Sequence, residues 1–162
     1  MPVEPIEYIA KIRKQYASLG YKPYQWVVNE DTPPWQPMRK PLSECRLALI
    51  ASGGVYVTGQ VAFHFKDDAS FRAIPKDVKL EDLRFAHFAY DRTDARIDPN
   101  VVFPIGTLRR LADEGVIGGL TEHAYTFMGG IYSSRRVREG LAPQLTARVI
   151  ADKADVALLV PV

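Results

Sequence analysis

The amino-acid sequence predicts a three-layer α/β fold with a mostly parallel, Rossmann-like sheet that ends on a core strand. Two short apolar runs support this prediction: RLALIA at residues 46–51 and VALLV at residues 156–160. Apolar runs of this length are typical of parallel strands that are buried on both faces. The first run ends in a Ser-Gly-Gly turn, and the second follows a helical repeat. Helix followed by buried strand is the rhythm of a parallel sheet.

The first 44 residues are predicted to form a helix and an arm, ahead of an α/β domain at residues 45–162. Residues 4–19 place apolar side chains at helical spacing, and Gly20 supplies a helix end. Residues 21–44 interleave five prolines with aromatic side chains. Proline excludes a central strand or helix, and disordered linkers rarely carry so many aromatics. We therefore expect this arm to pack on its own domain or on a neighbouring subunit.

The middle of the chain is predicted to hold few regular elements. Residues 55–80 are mixed and loop-like, Leu83–Phe88 is a second strand candidate, and residues 91–100 form a polar loop. A helix is expected from Pro104 to about residue 114, because proline suits the first helical position and a glycine follows the end. Val116–Leu120 reads as a short strand or turn.

The last helix is predicted from apolar residues that recur every four positions. Ser133 or Ser134 is expected to cap it, and Pro143 implies a kink or a later helix start. The recurring apolar residues are Val137, Leu141, Leu145 and Val149. No regular element is predicted for residues 121–133, which carry several aromatics and the adjacent glycines 129 and 130.

Composition excludes several classes of protein. The chain has 162 residues, 47% of them hydrophobic and 25% charged, which is ordinary for a globular domain. A net charge of +2 argues against a nucleic-acid or membrane-surface partner. No apolar run approaches the roughly 18 residues of a membrane span, and the start does not resemble a signal peptide. Cys45 is the single cysteine, which fits a reducing compartment, so a cytoplasmic location is expected.

Several ordered motifs resemble one known family. These segments are LALIASGGVYVTGQ (47–60), DDASFRAIP (67–75), DLRFAHFAYD (82–91), IDPNVVFPIGTLRRLADEGVIGGL (97–120), YTFMGG (125–130) and ADVALLVPV (154–162). Over roughly residues 40–162 the chain resembles the selenoprotein B family of glycine, sarcosine, betaine and D-proline reductases. The resemblance implies a subunit that helps to cleave the C–N bond of a small amino acid or N-methylated amino acid.

The resemblance also implies cofactors that this chain does not carry. A selenocysteine or cysteine is expected directly after the strand at residues 156–160, and thus just after Val162. A pyruvoyl group is expected on a partner subunit, among other reductase subunits. Either the reading frame stops at a UGA codon for selenocysteine, in which case the complete chain is an oxidoreductase subunit, or the chain is a natural short homologue with a different role. In both cases we expect the 162 residues alone to be inactive in selenol chemistry.

The Ser52-Gly53-Gly54 turn is one candidate binding site. Free backbone N–H groups after a strand can hold a carboxylate or a phosphate, although the turn can also simply require glycine. Ser70 and Arg72 are a second candidate, because alternation places both on one face of an extended segment. Arg72 can bind a substrate carboxylate with two hydrogen bonds, or form a surface ion pair with a nearby aspartate.

Four polar residues follow the second strand candidate: His87, Asp91, Asp98 and Asn100. His87 is a candidate general acid for the leaving amine, with Asp91 orienting the ring. Asp98 and Asn100 are candidate substrate-binding residues. The structural alternative is a buried histidine bonded to the backbone, next to an Asp-Pro-Asn turn.

No metal site is expected, because no two histidines have the spacing of a helical metal site. Cys45 lies at the amino end of the first strand and reads as an inert buried thiol. A rival to the reductase hypothesis is a non-catalytic module that binds a ligand or assembles subunits. The chain is also expected to form a homo-oligomer, because an apolar strand at a sheet edge tends to pair with another copy.

Overall fold

The computed structural model describes residues 7–22 and 28–162, which fall into two compact units that divide between Trp35 and Gln36. The first unit contains α1 (Tyr8–Ser18), close to the predicted helix at residues 4–19. Gly20 has φ of 80° and ends this helix, because its N–H and that of Tyr21 bond back to the last turn. Part of the aromatic arm lies outside the described residues, and its expected packing stays a prediction.

The main sheet of the second unit is built around β1 (Arg46–Ala51), the strand expected from the first apolar run. The other strands are β2 (Val55–Val57), β3 (Phe71–Pro75), β4 (Leu83–Phe85), β5 (Gly119–Leu120), β6 (His123–Phe127) and β7 (Val156–Val160). β1 pairs in parallel with β5, β6 and β7. β5 and β6 share one side of β1, because β7 occupies the whole other side.

One strand of the main sheet runs against the others. β3 pairs antiparallel with β6, with Phe71 opposite Phe127 and Pro75 opposite His123. β2 and β4 form a separate two-stranded antiparallel sheet. The prediction of an α/β fold with a mostly parallel sheet is confirmed, and the Rossmann-like arrangement stays a prediction.

Helices cover both faces of the main sheet. Leu47 and Leu49 of β1 belong to a core cluster with Leu108 of α3 (Ile105–Asp113). Ile50, which points the other way, belongs to a second cluster with Leu145 of α5 (Ala142–Ala151). Because successive strand side chains alternate between faces, the two clusters lie on opposite faces of the sheet. The three-layer prediction therefore holds for the described part of this unit.

The last helix begins as predicted but is not regular. The Ser133 hydroxyl accepts from the N–H of Arg136 and caps α4 (Ser134–Arg136). A π-helical segment at Val137–Leu141 then leads into α5, where Pro143 lies in the first turn. Pro143 therefore marks a later helix start, one of the two predicted alternatives. None of the helices in the described ranges has the length and apolar character needed to cross a bilayer.

Two predictions of local structure are wrong, one strand is shorter than predicted, and one strand was not predicted. Residues 55–80 contain β2 and β3 rather than only loop. The second strand candidate shortens to β4 and lies outside the main sheet. Residues 91–100 form α2 (Thr93–Ile97) and the start of a 3₁₀ turn at Pro99–Val101. Residues 121–133 contain β6, the strand next to β1.

β7 corrects the expectation of a buried last strand. Val156–Val160 is a strand paired with β1 over its full length, as the apolar run predicted. Its central side chains are nevertheless exposed, and Leu159 is 67% exposed. The side of β7 away from β1 has no strand partner among residues 7–22 and 28–162. The apolar run therefore predicted the strand correctly but not its burial, because β7 forms an edge of the sheet that the structure describes.

Candidate functional site

The Ser52-Gly53-Gly54 turn lies at the carboxyl end of β1, as predicted. The N–H of Ser52 donates to the Val160 carbonyl at 3.0 Å, and the N–H of Gly54 donates to the Phe127 carbonyl at 3.1 Å. These two N–H groups continue the sheet beyond β1, so they are not free to hold an anion. The expectation of free N–H groups is therefore wrong for Ser52 and Gly54. The role of the three residues in binding stays a prediction.

Gly54 shows why this turn requires glycine. Its φ is 63°, a conformation that side chains disfavour. A Cβ at residue 54 would collide with the carbonyl oxygen of Ala86. The N–H of Ala86 in turn donates to the Gly54 carbonyl at 3.0 Å. The turn therefore brings the segment after β4 against the carboxyl end of β1.

His87 follows directly after Ala86 and is buried, with 6% of its surface exposed. Its Nδ1 accepts a hydrogen bond from the N–H of Ala89 at 3.0 Å. Its Nε2 is buried and has no hydrogen-bond partner among the described residues. Burial lowers the pKa of His87, and the positive charge of Arg92 lowers the pKa further. His87 is therefore held as a neutral imidazole.

The structure brings His87 and Ser52 together at Gly129. A Cβ built at residue 129 would lie 3.3 Å from Ser52 Oγ and 3.4 Å from His87 Nε2. The N–H of Gly129 donates to the Ser52 carbonyl at 2.9 Å. The end of β7 reaches the same place, because the N–H of Val162 donates to Ser52 Oγ at 2.9 Å. Ends of β1, β6 and β7 thus meet beside one histidine.

Asp91 does not orient His87 in the described structure. Its Oδ1 accepts from the N–H and the hydroxyl of Thr93, at 3.0 and 2.7 Å, and so starts α2. These two bonds, that of the hydroxyl first, lower the pKa of Asp91. The backbone N–H of Ala89 holds the His87 ring in place instead of a carboxylate.

Asp98 and Asn100 form a structural turn ahead of α3. Asp98 Oδ1 accepts from the backbone N–H and the side-chain amide of Asn100, at 2.9 and 2.8 Å. Asn100 Oδ1 accepts from the N–H of Thr107 at 3.1 Å. This is the Asp-Pro-Asn turn that the sequence offered as the structural alternative to a binding role. The described contacts give these side chains a capping role.

Ser70 and Arg72 lie at the start of β3, which the antiparallel pairing places at the same sheet edge as the end of β6. The Arg72 guanidinium donates to the carbonyl of Val61 at 2.7 Å and to Ser70 Oγ at 2.8 Å. Ser70 Oγ donates to Asp68 Oδ1 at 2.5 Å. Arg72 also stacks on Phe63, with its guanidinium carbon 4.3 Å from the ring centroid. Arg72 is therefore occupied in holding the loop before β3.

Two open grooves of the described structure lie away from His87. One, of about 630 Å³, lies between residues 68–70 and residues 135–144, and Ser70 lines it. The other, of about 590 Å³, lies beside β4 and α2 and includes Asp98. Neither groove is lined by Ser52 or His87. The structure therefore does not bring Ser70 or Asp98 into one cavity with Ser52 and His87.

Cys45 lies at the amino end of β1, the edge opposite Ser52, as predicted. The thiol is buried, and it donates to the Lys40 carbonyl at 3.7 Å. No group of three or more metal-ligating side chains occurs among the described residues. Cys45 is therefore placed away from the edge where β1, β6 and β7 converge.

Sequence reasoning missed three aromatic or glycine features beside His87. Phe88 stacks on the His87 ring at 5.6 Å between centroids, and Tyr90 packs on it at 4.7 Å. The Tyr90 hydroxyl donates to the Gly53 carbonyl at 2.9 Å. Gly130 gives room to Phe88, because a Cβ there would collide with the Phe88 ring. The adjacent glycines 129 and 130 in the sequence were the available signal.

Comparison with known proteins decides the family. The family model described as glycine/sarcosine/betaine reductase selenoprotein B matches residues 20–161. The chain belongs to this selenoprotein B family. The family resemblance given by the sequence motifs is thereby confirmed.

Members of the selenoprotein B family from several bacteria are similar to this chain. A D-proline reductase subunit gamma from Acetoanaerobium sticklandii is 35% identical over 130 residues, 79% of this chain and 54% of the relative. A glycine reductase complex component B subunit gamma from Symbiobacterium thermophilum is 34% identical over 104 residues, 61% of this chain and 24% of the relative. A sarcosine reductase complex component B subunit beta from Peptoclostridium acidaminophilum is 27% identical over 142 residues, 84% and 32% of the two chains.

The chain spans about half the length of the first of these selenoprotein B relatives and a smaller share of the others. No solved structure gives a significant match. The match over residues 20–161 includes Ser52, His87 and Gly129. The residues that converge at the carboxyl edge of the sheet therefore lie within the family region.

Proposed function

We propose that this chain acts as a selenoprotein-B-like subunit of a reductase complex that cleaves the C–N bond of a small amino acid or N-methylated amino acid. The observation that carries the proposal is the family match over residues 20–161. The names of the relatives support the coarser statement, because each is a subunit of a D-proline, glycine or sarcosine reductase. The substrate and the subunit partners of this chain are part of the proposal, as is a cytoplasmic location.

The reducing nucleophile of this proposal is a selenocysteine or cysteine that follows Val162. The position of Val162 supports it, because its N–H donates to Ser52 Oγ at 2.9 Å beside His87. A residue attached to Val162 would therefore enter next to these two side chains. The buried thiol of Cys45 lies at the opposite edge of the sheet and does not suit this role. A pyruvoyl group on a partner subunit would hold the amine of the substrate.

His87 is proposed to bind the substrate from this edge by hydrogen bonding, rather than to act as the general acid for the leaving amine. Its Nε2 is the candidate donor, because Nδ1 is occupied by the N–H of Ala89. A fully protonated ring could not accept the bond from Ala89, and burial of the ring opposes protonation because it lowers the pKa of His87. His87 therefore suits hydrogen bonding to the substrate better than storage of a proton. Asp91 is not needed for this role in the geometry described.

Affinity purification of the tagged full chain from its native host tests the proposal. We expect other reductase subunits to co-purify, as identified by mass spectrometry, and an intact mass above 18.2 kDa. The codon after Val162 is expected to be UGA or a cysteine codon with open frame beyond it. Purification without any reductase subunit, from cells shown to express them, would overturn the proposal.

A second candidate function is assembly through β7, because the outer edge of this strand has no strand partner within residues 7–22 and 28–162. Val156–Val160 carries no charge, and Leu159 is 67% exposed. Natural edge strands usually carry charges, prolines or bulges that prevent pairing. We propose that β7 pairs with β7 of a second copy, which makes the chain a homo-oligomer. Sedimentation of the full chain as a monodisperse monomer would contradict this part.

A further inference from the structure

We propose that Ser52, His87 and Gly129 form a subsite for the carboxylate of a small organic acid, covered by the ring of Phe88. The subsite stands on the geometry of the carboxyl sheet edge alone. Only the identity of the acid rests on the proposed function, which would make it an amino acid or an N-methylated amino acid.

His87 is fixed as a hydrogen-bond donor. A neutral imidazole has one N–H and one acceptor nitrogen. Because Nδ1 accepts from the N–H of Ala89 at 3.0 Å, the proton of the neutral ring lies on Nε2. That Nε2–H is buried and has no acceptor among the described residues. A buried donor without a partner costs free energy, and an oxygen acceptor would relieve that cost.

A hydroxyl and an exposed glycine lie beside this donor. Ser52 Oγ and His87 Nε2 lie 3.3 and 3.4 Å from the point that a Cβ of residue 129 would occupy. Gly129 itself is exposed. Ser52 Oγ already accepts from the N–H of Val162, so its own proton can be donated to a second oxygen. Two donors thus face one small space that a side chain at residue 129 would fill.

The ring of Phe88 covers one face of His87. Phe88 stacks on the ring of His87, with an angle of 13° between the ring planes, and is 48% exposed. It rests against Gly130, where a Cβ would collide with its ring. Tyr90 packs on His87 at 4.7 Å and is tied to the Gly53 carbonyl. Because Nε2 is buried, a ligand reaches it only when a neighbouring side chain moves, and we expect the exposed ring of Phe88 to be the one that turns aside.

The positive charge of Arg92 favours an anionic ligand at His87. Arg92 places positive charge close enough to His87 to affect its protonation. The nearest carboxylate in sequence, that of Asp91, is bonded to Thr93. An anionic oxygen makes a stronger hydrogen bond than a neutral carbonyl and gains from the nearby positive charge. These features favour a carboxylate over a neutral acceptor.

Acetate is the probe for the test, because the carboxylate is its only polar group. The full chain is labelled with ¹⁵N, and the imidazole nitrogens of His87 are followed by NMR during an acetate titration. We expect His87 to show the Nε2–H form without acetate. Saturating acetate should shift the Nε2–H resonance, with little change at the exposed His64, which serves as an internal control.

Three variants sharpen the titration. Gly129→Ala places a methyl group between the two donors, so we expect acetate to bind at least tenfold more weakly. Gly140→Ala is the matched control, because a Cβ there meets no atom within 4 Å, and acetate binding should not change. Phe88→Ala removes the cover, so acetate should bind at least threefold more tightly. Circular dichroism of each variant verifies that it is folded.

The outcomes separate the subsite from the proposed function. A saturable shift that Gly129→Ala weakens supports the subsite, even if no reductase subunit co-purifies with the chain. An Nε2–H resonance that acetate leaves unchanged, in both the wild-type chain and Phe88→Ala, overturns the subsite. An equal effect of Gly129→Ala and Gly140→Ala also overturns it.

Discussion

The two long neighbours of β1, β6 on one side and β7 on the other, have opposite relations to the core. β6 (His123–Phe127) contains a histidine and a threonine, yet its three central side chains are buried. β7 (Val156–Val160) is entirely aliphatic, yet its three central side chains are exposed. Among the described residues, β6 pairs with β1 and β3, whereas β7 pairs with β1 alone.

Burial in this sheet therefore follows from partners rather than from composition. β6 contributes to both core clusters, through Ala124 on one face and Tyr125 on the other. Its polar atoms are satisfied, because Thr126 donates to the Val55 carbonyl and Tyr125 to Asp152. β7 lacks a strand neighbour on its outer side within the described residues. An apolar strand in that position is open to pairing with a further strand.

The largest test of this difference compares Tyr125→Ala with Leu159→Ala. Loss of a buried aromatic side chain costs roughly 3–5 kcal/mol, because a cavity remains. Loss of the exposed Leu159 side chain should cost roughly 0.5 kcal/mol or less in the monomer. Urea unfolding at low protein concentration measures both free energies. Similar losses in the two variants would contradict the assignment of β6 to the interior and β7 to the edge.

The same contrast explains which strands and helices could be predicted from the sequence. β1, β7 and α3 follow from apolar runs and from glycine and proline at their ends, which are local signals. β6 and β3 were missed because their polar residues resemble loop sequence. Thr126 and Tyr125 are satisfied by residues 71 and 27 positions away in the chain. Such partners are tertiary contacts, which local periodicity does not contain.

The candidate site divides in a similar way. Ser52 and His87 were expected from a turn after a strand and from the chemistry of histidine. Their convergence at Gly129 was not expected, because it depends on the continuation of the sheet beyond β6. Asp91 was expected to orient His87. Instead, the N–H of Ala89, two residues after His87 in the chain, donates to Nδ1. A backbone donor at short range therefore replaced the predicted carboxylate.

A smaller effect is expected from Tyr125→Phe, which removes only the hydroxyl. The hydroxyl donates to Asp152 Oδ2 at 2.8 Å, and hydrogen bonds to charged groups contribute roughly 1.5–3 kcal/mol. Burial first, and then Asp152, raise the pKa of Tyr125. A raised pKa gives stability that is present below the unfolded-state value of about 10 and is lost at higher pH. Urea unfolding at pH 8 and pH 11 should show a smaller loss on alkalinisation in Tyr125→Phe than in the wild type.

An effect on association is expected from Leu159→Lys at the exposed edge. A lysine on an edge strand discourages pairing, so self-association should weaken at least about tenfold, or ~1.4 kcal/mol. The stability of the monomer should not change, because Leu159 is exposed. Lys153→Leu, which adds an apolar side chain next to the strand but not within it, serves as a control for general surface hydrophobicity. Sedimentation velocity over a range of concentrations distinguishes the two variants, and equal association in Leu159→Lys and the wild type would contradict pairing through β7.

The smallest effect is expected where β7 begins. Asp155 Oδ2 pairs with Lys40 Nζ at 2.7 Å and accepts from the N–H of Arg46 at 2.8 Å, which fastens β7 to the start of β1. The bond with Lys40 first, and that with Arg46 next, lower the pKa of Asp155. A lowered pKa gives stability that is present above the unfolded-state value of about 3.9 and is lost as the pH falls through the folded-state value. Asp155→Asn should therefore lower Tm slightly at pH 7, and the difference from the wild type should shrink near pH 3. Asp113→Asn, which removes an exposed charge from α3, is the control. A Tm difference for Asp155→Asn that stays the same at pH 3 would show that the carboxylate charge does not hold β7 to β1.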